Sequence, residues 1–220
     1  MKKKILILIF TFMTVLCFAD EVSELYKIEA VDCKVYDIKR QFFISKCKYL
    51  GYENYAYEYI LDKEIGFDKL EYYPIWMYGK ESFFIMGNQK FSYLTDGYDS
   101  EYYLDKVYLL QYDGKKYLVL YNKAASSFKN HGFIFDITEP EKVKFYHFTD
   151  YSPLDIYSDR LNRVFFGRFE GQLCFFVRVC RDTYTEGYDI VPYTIKNDSL
   201  EELIGIHGES LRKFKEYDGW

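Results

Sequence analysis

The fold of this chain is decided by the stretch Val107–Tyr121, which reads VYLLQYDGKKYLVLY. The dipeptide Asp113-Gly114 stands between two runs of apolar and aromatic residues. Asp-Gly in this position is a strong signal for a two-residue β-hairpin turn, because both residues tolerate a positive φ angle. The stretch therefore predicts two antiparallel strands joined by a tight turn.

The same plan recurs elsewhere in the chain. Val164–Arg178 reads VFFGRFEGQLCFFVR, with Glu170-Gly171 at the turn, and a fainter version spans Pro74–Met86. Repeated antiparallel units of this kind resemble the blades of small β-propellers. We therefore predict an all-β fold, an antiparallel meander of repeated hairpins in a small propeller-like arrangement. A β-sandwich or an open barrel is the alternative.

Composition supports strands over helices. The chain has 25 Tyr and 20 Phe among 220 residues, and these side chains suit half-buried pleated surfaces. One short C-terminal helix is predicted where Ser199 and Glu202 form a capping box before Leu203. Because no linker or low-complexity stretch interrupts the pattern, residues 20–220 are predicted to form a single β-rich domain.

Residues 1–19 have the three parts of a secretory signal peptide. Three lysines precede the apolar run Ile5–Leu16, and a small-x-small cleavage site follows. The apolar run is shorter than the ~20 residues that a membrane-spanning helix needs. The bulky Leu16 before Cys17 disfavours lipid attachment at that cysteine. We expect cleavage before Asp20, a periplasmic or secreted protein, and no transmembrane span in the mature chain.

Export changes how the cysteines are interpreted, because an oxidising compartment favours disulfides. Cys33 and Cys47 flank a predicted hairpin whose register places them opposite each other, about 5 Å apart at Cα, which a disulfide can bridge. Cys174 and Cys180 lie on one predicted strand, about 20 Å apart. They can pair only if the chain bends between them. The alternative is buried free thiols.

Arginine and tyrosine usage indicates a binding surface. Five of the seven arginines fall between Arg160 and Arg181. Arginine suits paired hydrogen bonds with carboxylates, and tyrosine and tryptophan are common anchors of binding surfaces. The candidate binding residues are Arg163, Arg168, Arg178, Tyr55, Tyr57 and Trp76. The alternatives are internal ion pairs for the arginines and core packing for the tyrosines.

The sequence predicts no catalytic residue, no metal site and no cofactor. His131, His147 and His207 lack metal-ligand spacing with one another or with a cysteine. Gly205–Ser210 holds a histidine, an acid and a serine, but it lacks the Gly-x-Ser-x-Gly elbow of a serine nucleophile. A net charge of −5 without a basic tail argues against a nucleic-acid partner.

These features favour an exported, non-enzymatic binding protein of the inhibitor or immunity type, whose partner is a protein or a glycan. The alternative is an exported glycan-acting hydrolase that uses a pair of carboxylates. A buried cleft holding two carboxylates, one with a strongly raised pKa, would favour the hydrolase. A flat or convex aromatic patch would favour the binding protein.

Overall fold

The structure, a computed structural model of the chain, describes residues 21–37, 39–49, 52–74, 81–94, 102–104, 106–124, 129–151, 166–180 and 187–216. The predicted signal peptide, residues 1–19, lies outside these ranges and stays a prediction. The elements are α1 (Glu21–Leu25), β1 (Asp32–Asp37), β2 (Lys39–Tyr49), β3 (Tyr52–Ile60), β4 (Lys69–Tyr73), β5 (Glu81–Met86), β6 (Gln89–Leu94), β7 (Tyr102–Tyr103), β8 (Lys106–Tyr112), β9 (Lys115–Ala124), β10 (Lys129–Asp136), β11 (Lys144–Tyr151), β12 (Phe166–Phe169), β13 (Gln172–Cys180), β14 (Tyr188–Lys196), β15 (Ser199–Glu202) and β16 (Lys213–Lys215), with single 3₁₀ turns at Lys63–Ile65 and Pro140–Lys142.

The described strands form three antiparallel sheets. The meander sheet has the order β2-β3-β4-β5-β6, and the central sheet has the order β1-β8-β9-β10-β11 with β7 against β9. The C-terminal sheet has the order β12-β13-β14-β15 with β16 against β14. The predicted all-β, antiparallel meander is confirmed, and none of the described sheets closes into a barrel. None of the helices in the described part of the chain has the length and hydrophobicity that crossing a membrane would require.

Both two-residue turns predicted from the sequence are present. Asp113 and Gly114 have φ angles of 50° and 72°, and they join β8 to β9 with Tyr112 opposite Lys115. Glu170 and Gly171 have φ angles of 48° and 75°, and they join β12 to β13. Paired positive φ angles match the right-handed twist of the flanking strands, which is why these turns form hairpins.

The predicted C-terminal helix is wrong. Ser199–Glu202 forms strand β15 instead. Asn197 and Asp198, just before it, both adopt positive φ angles, 49° and 60°. Asn and Asp tolerate this left-handed region better than other non-glycine residues, so the pair makes a tight hairpin turn out of β14. The turn chemistry of these two residues outweighs the capping box that follows them.

The contacts divide the chain into two compact units, and the single domain predicted for residues 20–220 stays a prediction. The larger unit comprises Val31–Ile156 and Asp198–Leu200. Within the described residues, the smaller unit comprises 21–30, 166–180, 187–197 and 201–216.

In the larger unit, the inner faces of the meander and central sheets pack face to face around aromatic rings. The Phe84 ring on β5 meets Phe133 and Phe135 on β10 edge-on, with ring centroids 4.8 Å and 5.6 Å apart. All three rings are fully buried. Edge-to-face pairs are worth about 0.5–1.5 kcal/mol beyond the area they bury. Face-to-face sheets are common to the propeller-like interpretation and to its sandwich alternative.

In the smaller unit, Tyr26 ties the segment after α1 to the C-terminal sheet. Its ring lies 5.0 Å from both Phe169 and Phe176, and only 2% of the residue is exposed. Its hydroxyl lies 2.6 Å from the carbonyl oxygen of Ile190 and 2.8 Å from that of Leu211. The apolar ring and the polar hydroxyl are therefore both accommodated, as a buried tyrosine requires.

Candidate functional site

The solvent-facing side of the meander sheet carries aromatic and aliphatic side chains among charged ones. Along β5, Ser82, Phe84 and Met86 point into the core, which leaves Phe83 and Ile85 half-buried on the opposite side. An antiparallel sheet with one solvated face normally carries polar residues there. The outer aromatic face is defined by these outward-facing side chains of β3 to β6: Glu58, Ile60, Lys69, Glu71, Tyr73, Glu81, Phe83, Ile85, Lys90, Ser92 and Leu94.

The centre of the outer aromatic face is held in one geometry by ring contacts. Tyr73 on β4 lies opposite Phe83 on β5, and their rings stack with centroids 4.5 Å apart and an interplanar angle of 13°. The ammonium of Lys90 on β6 lies 4.0 Å from the Phe83 ring centroid. Such cation–π contacts at exposed sites are worth about 0.5–1 kcal/mol. These contacts order the side chains before any partner arrives.

Two exposed aliphatic residues lie on the same side of the sheet, and one of them, Leu94, is diagonal to Phe83. Ile60 on β3 is 44% exposed, and Leu94 on β6 is 66% exposed. Isolated exposed apolar side chains are ordinary, but aliphatics that continue an aromatic face indicate a contact surface.

An open groove of about 440 Å³ lies at the end of this face. It is lined by Gly66, Phe67, Asp68, Lys69, Glu71, Ile85 and Gly87. Gly66 ends the 3₁₀ turn in the left-handed conformation, with φ of 90°. A Cβ atom on Gly66 would meet nothing within 4 Å. The backbone there faces open space, so the groove is accessible from the Gly66 side.

Three charges form a linked set where the groove meets the face. The ammonium of Lys69 lies 2.9 Å from Glu58 Oε2 and 2.7 Å from Glu71 Oε1. The hydrogen bond from Lys69 lowers the pKa of Glu71, and the hydroxyl of Tyr73, which donates to Glu71 Oε2 at 2.8 Å, adds to this. The same two carboxylates raise the pKa of Lys69. Glu58 and Glu71 lie opposite each other on neighbouring strands, where like charges would otherwise repel.

The lowered pKa of Glu71 is the wrong direction for acid catalysis. A general acid in glycoside hydrolysis needs a raised pKa. A neighbouring cation lowers the pKa of each of three described glutamates, which are Glu64, Glu71 and Glu202. The hydrolase alternative therefore gains no support from this geometry.

Two histidines that are sixteen positions apart in sequence meet in the core. His131 Nδ1 and His147 Nε2 lie 2.8 Å apart, on the neighbouring strands β10 and β11, and His131 is 1% exposed. The Tyr93 ring lies 4.7 Å from that of His147. The pair is a hydrogen bond between core strands. In the described part of the chain, no three residues of metal-ligand type cluster.

The Ser210 side chain contacts an acid that lies outside the stretch Gly205–Ser210. The Ser210 hydroxyl donates to Glu202 Oε1 at 2.6 Å, and Glu202 also accepts hydrogen bonds from Arg212. His207 is exposed. The serine thus supports a surface ion pair.

Three of the six candidate binding residues have described side chains, and two of these three are buried. Tyr57 is 5% exposed and belongs to the core of the larger unit. Arg178 is 2% exposed on β13, with its guanidinium 5.9 Å from the Tyr188 ring centroid. Arg168 on β12 is exposed, 3.3 Å from Glu29. In the described geometry, Arg168 alone of these three presents a charged group to solvent.

The other candidates cannot be placed in the site. Tyr55 lies on β3, but its side chain is outside the described part of the structure. Trp76 and Arg163 lie outside the described residues altogether. A binding role for these three residues stays a prediction.

The hairpin that would bring Cys33 to Cys47 is not formed. Cys33 lies on β1, which pairs with β8, so that its cross-strand partner is Leu110. Cys33 and Cys174 are free thiols, and the predicted disulfides are not present. Burial raises the pKa of each thiol to about 12. The side chains of Cys47 and Cys180 lie outside the described part of the structure.

Sequence reasoning missed the outer aromatic face, although β5 carries a signal for it. Glu81–Met86 reads ESFFIM, in which apolar residues fill consecutive positions instead of alternating. In an antiparallel sheet this indicates apolar residues on both faces. The pairing of Phe83 with Tyr73 depends on the register of β4 against β5, which cannot be predicted from the local sequence pattern.

Comparisons of the chain with protein-family models, with curated proteins and with solved structures find no match. The fold and the outer aromatic face define an all-β protein with a preorganised, partly apolar sheet surface. Its function must be inferred from that surface.

Proposed function

We propose that this is an exported, non-enzymatic binding protein whose partner is another protein, and that it docks through the outer aromatic face. One observation carries the proposal: the Tyr73–Phe83 stack, with Lys90 over Phe83, stands on a sheet surface that would otherwise be polar. Exposed Leu94, diagonal to Phe83 across β5 and β6, extends this apolar area.

The arrangement matches the anatomy of protein interfaces. Their buried centres are rich in aromatic and aliphatic side chains, and charged residues form the rim. Here the rings and Ile85 form the centre, while Glu58, Lys69 and Glu81 supply charges around them. Side chains that are already ordered lose little conformational entropy on binding, which raises affinity.

Capture from the exported fraction of the native cells tests the proposal. Immobilised mature protein should retain a specific partner, and Leu94→Asp should weaken its binding at least tenfold, which is about 1.4 kcal/mol. Leu94 is 66% exposed, so the substitution should leave the melting temperature nearly unchanged. The matched control is Val35→Asp, an apolar residue of the same unit that is 52% exposed but lies on β1, away from the face. Equal binding by the Leu94 variant and the wild type would overturn the proposal, as would equal loss in the control.

A further inference from the structure

The groove beside the outer aromatic face combines apolar walls with an acidic rim. Phe67 and Ile85 supply the apolar lining, and Asp68 and Glu71 lie along the same groove. A side chain that fits such a space has an apolar stem and a polar head. Lysine and arginine have this form, because an aliphatic stem carries their charged group.

The charges around the groove determine whether the polar group of the incoming side chain is positive or negative. Three carboxylates, those of Glu58, Asp68 and Glu71, lie in or beside the groove, and Lys69 is the cation among the lining residues. Lys69 already contacts two of the carboxylates, and Lys90 lies opposite Ile85 on the neighbouring strand, so one negative charge is left in excess. The chain as a whole also carries a net charge of −5, which draws positively charged surfaces toward it.

From this geometry we propose that the groove receives a lysine or arginine side chain of the protein partner, so that the partner presents a basic residue beside an apolar contact area. The inference rests on the proposed binding function and specifies the chemistry of the partner. The stem would pack against Phe67 and Ile85, and the head would reach Asp68 and Glu71. A ring beside the cation adds a cation–π contribution.

The first test uses defined probes instead of the unidentified partner. An acetylated and amidated Gly-Arg-Gly tripeptide is titrated into ¹⁵N-labelled mature protein, with the Gly-Glu-Gly and Gly-Leu-Gly tripeptides in parallel. The arginine peptide should shift the amide signals of Gly66 and Gly87 with saturable, millimolar affinity, and the other two should not. Equal shifts from all three peptides, or arginine shifts spread over every acidic surface, would overturn the inference.

Two variants in the groove are expected to change arginine-peptide binding in opposite directions, and two control variants test whether the effect is local. Glu71→Gln should weaken arginine-peptide binding about threefold to fivefold, because it removes a charge from the groove. Lys69→Met should strengthen binding by a similar factor, since it removes the resident cation. The matched controls are Glu64→Gln and Lys34→Met, which alter a comparable ion pair, 2.6 Å long, outside the groove. Equal effects in the control pair would show that only the overall charge matters and would refute the site.

The two proposals can fail separately. Loss of partner capture with Leu94→Asp, together with no response of Gly66 and Gly87 to the arginine peptide, would keep the binding function and reject the basic occupant. A groove response without any effect of Leu94→Asp on capture would reject the outer aromatic face as the docking surface.

Discussion

At the residue scale, Tyr26 shows how one side chain joins distant parts of the smaller unit. Burial raises the pKa of its hydroxyl, so the group stays protonated and able to donate. Its two carbonyl neighbours, on Ile190 and Leu211, are more than 160 positions away in sequence. No local pattern around Tyr26 predicts this contact.

Tyr26→Phe should lower the free energy of unfolding by about 1–2 kcal/mol, because it removes the single hydroxyl proton that two carbonyl oxygens share while keeping the ring. Urea unfolding followed by fluorescence would measure the change. Tyr36→Phe is the control: its hydroxyl donates to Glu64 in an exposed position, and its loss should cost under about 0.5 kcal/mol. Equal costs at the two positions would contradict the role assigned to Tyr26.

At the element scale, the hairpin turns explain which predictions succeed. Asp113-Gly114 and Glu170-Gly171 are recognisable because glycine accepts positive φ without strain, and both turns form. The Asn197-Asp198 turn lacks glycine, and a capping box follows it, so the sequence predicts a helix where β15 lies. Local turn chemistry can thus be predicted where glycine marks it.

Pairing between strands that are distant in the chain cannot be predicted from turn residues. β1 is followed by β2 in the chain, yet it pairs with β8, about seventy residues later. The hairpin interpretation, and the Cys33–Cys47 disulfide that depended on it, fail for this reason. The outer aromatic face escapes prediction in the same way, because it needs the register of β4 against β5. Strand identity is encoded locally, whereas sheet membership depends on tertiary packing.

The turn between β12 and β13 can be improved. Glu170 holds a positive φ of 48°, a conformation that asparagine adopts more readily than glutamate. Glu170→Asn should therefore stabilise the protein by about 0.5–1 kcal/mol, as measured by the urea midpoint. Asp113→Asn is the matched control, since Asp-Gly is already a favourable pair and little change is expected. A destabilised Glu170 variant would mean that the glutamate makes a contact worth more than the strain.

At the scale of the whole molecule, ion pairs limit stability in acid. Lys69 lowers the pKa of Glu71, and Arg212 lowers that of Glu202. A glutamate in the unfolded chain has a pKa of about 4.3. As pH falls, the unfolded chain binds protons before the folded chain does. The stability from these pairs is therefore full above about pH 4.3 and is lost as pH falls through the lower folded pKa values.

Variants at these positions test the acid limit. Because both cations are substantially exposed, each pair contributes only about 0.5–1 kcal/mol. Glu71→Gln and Glu202→Gln should each lose this amount at pH 7, and the difference from wild type should shrink at pH 3.5. Chemical unfolding at the two pH values measures it. A deficit of the same size at both values would show that packing, and not charge, explains the loss.

The thiols of half-buried Cys33 and buried Cys174 lower the stability of the folded chain in alkali. An unfolded cysteine loses its proton near about pH 8.5, whereas burial keeps Cys33 and Cys174 protonated up to about pH 12 in the folded chain. As pH rises above the unfolded value, the unfolded chain releases protons that the folded chain retains. The stability from the neutral thiols is thus full below about pH 8.5 and falls as pH rises toward the folded pKa, by at most about 1.4 kcal/mol per pH unit for each thiol.

We therefore expect the free energy of unfolding to decline between pH 7.5 and pH 9.5 and Cys33→Ala to reduce that decline. In the same samples iodoacetamide should modify Cys33 and Cys174 far more slowly in the folded protein than in urea, because the thiolate is the reactive form. A flat stability profile over this range would contradict the raised pKa of these thiols. Modification that required prior reduction would restore the disulfide prediction, since a bridged cysteine has no proton to lose.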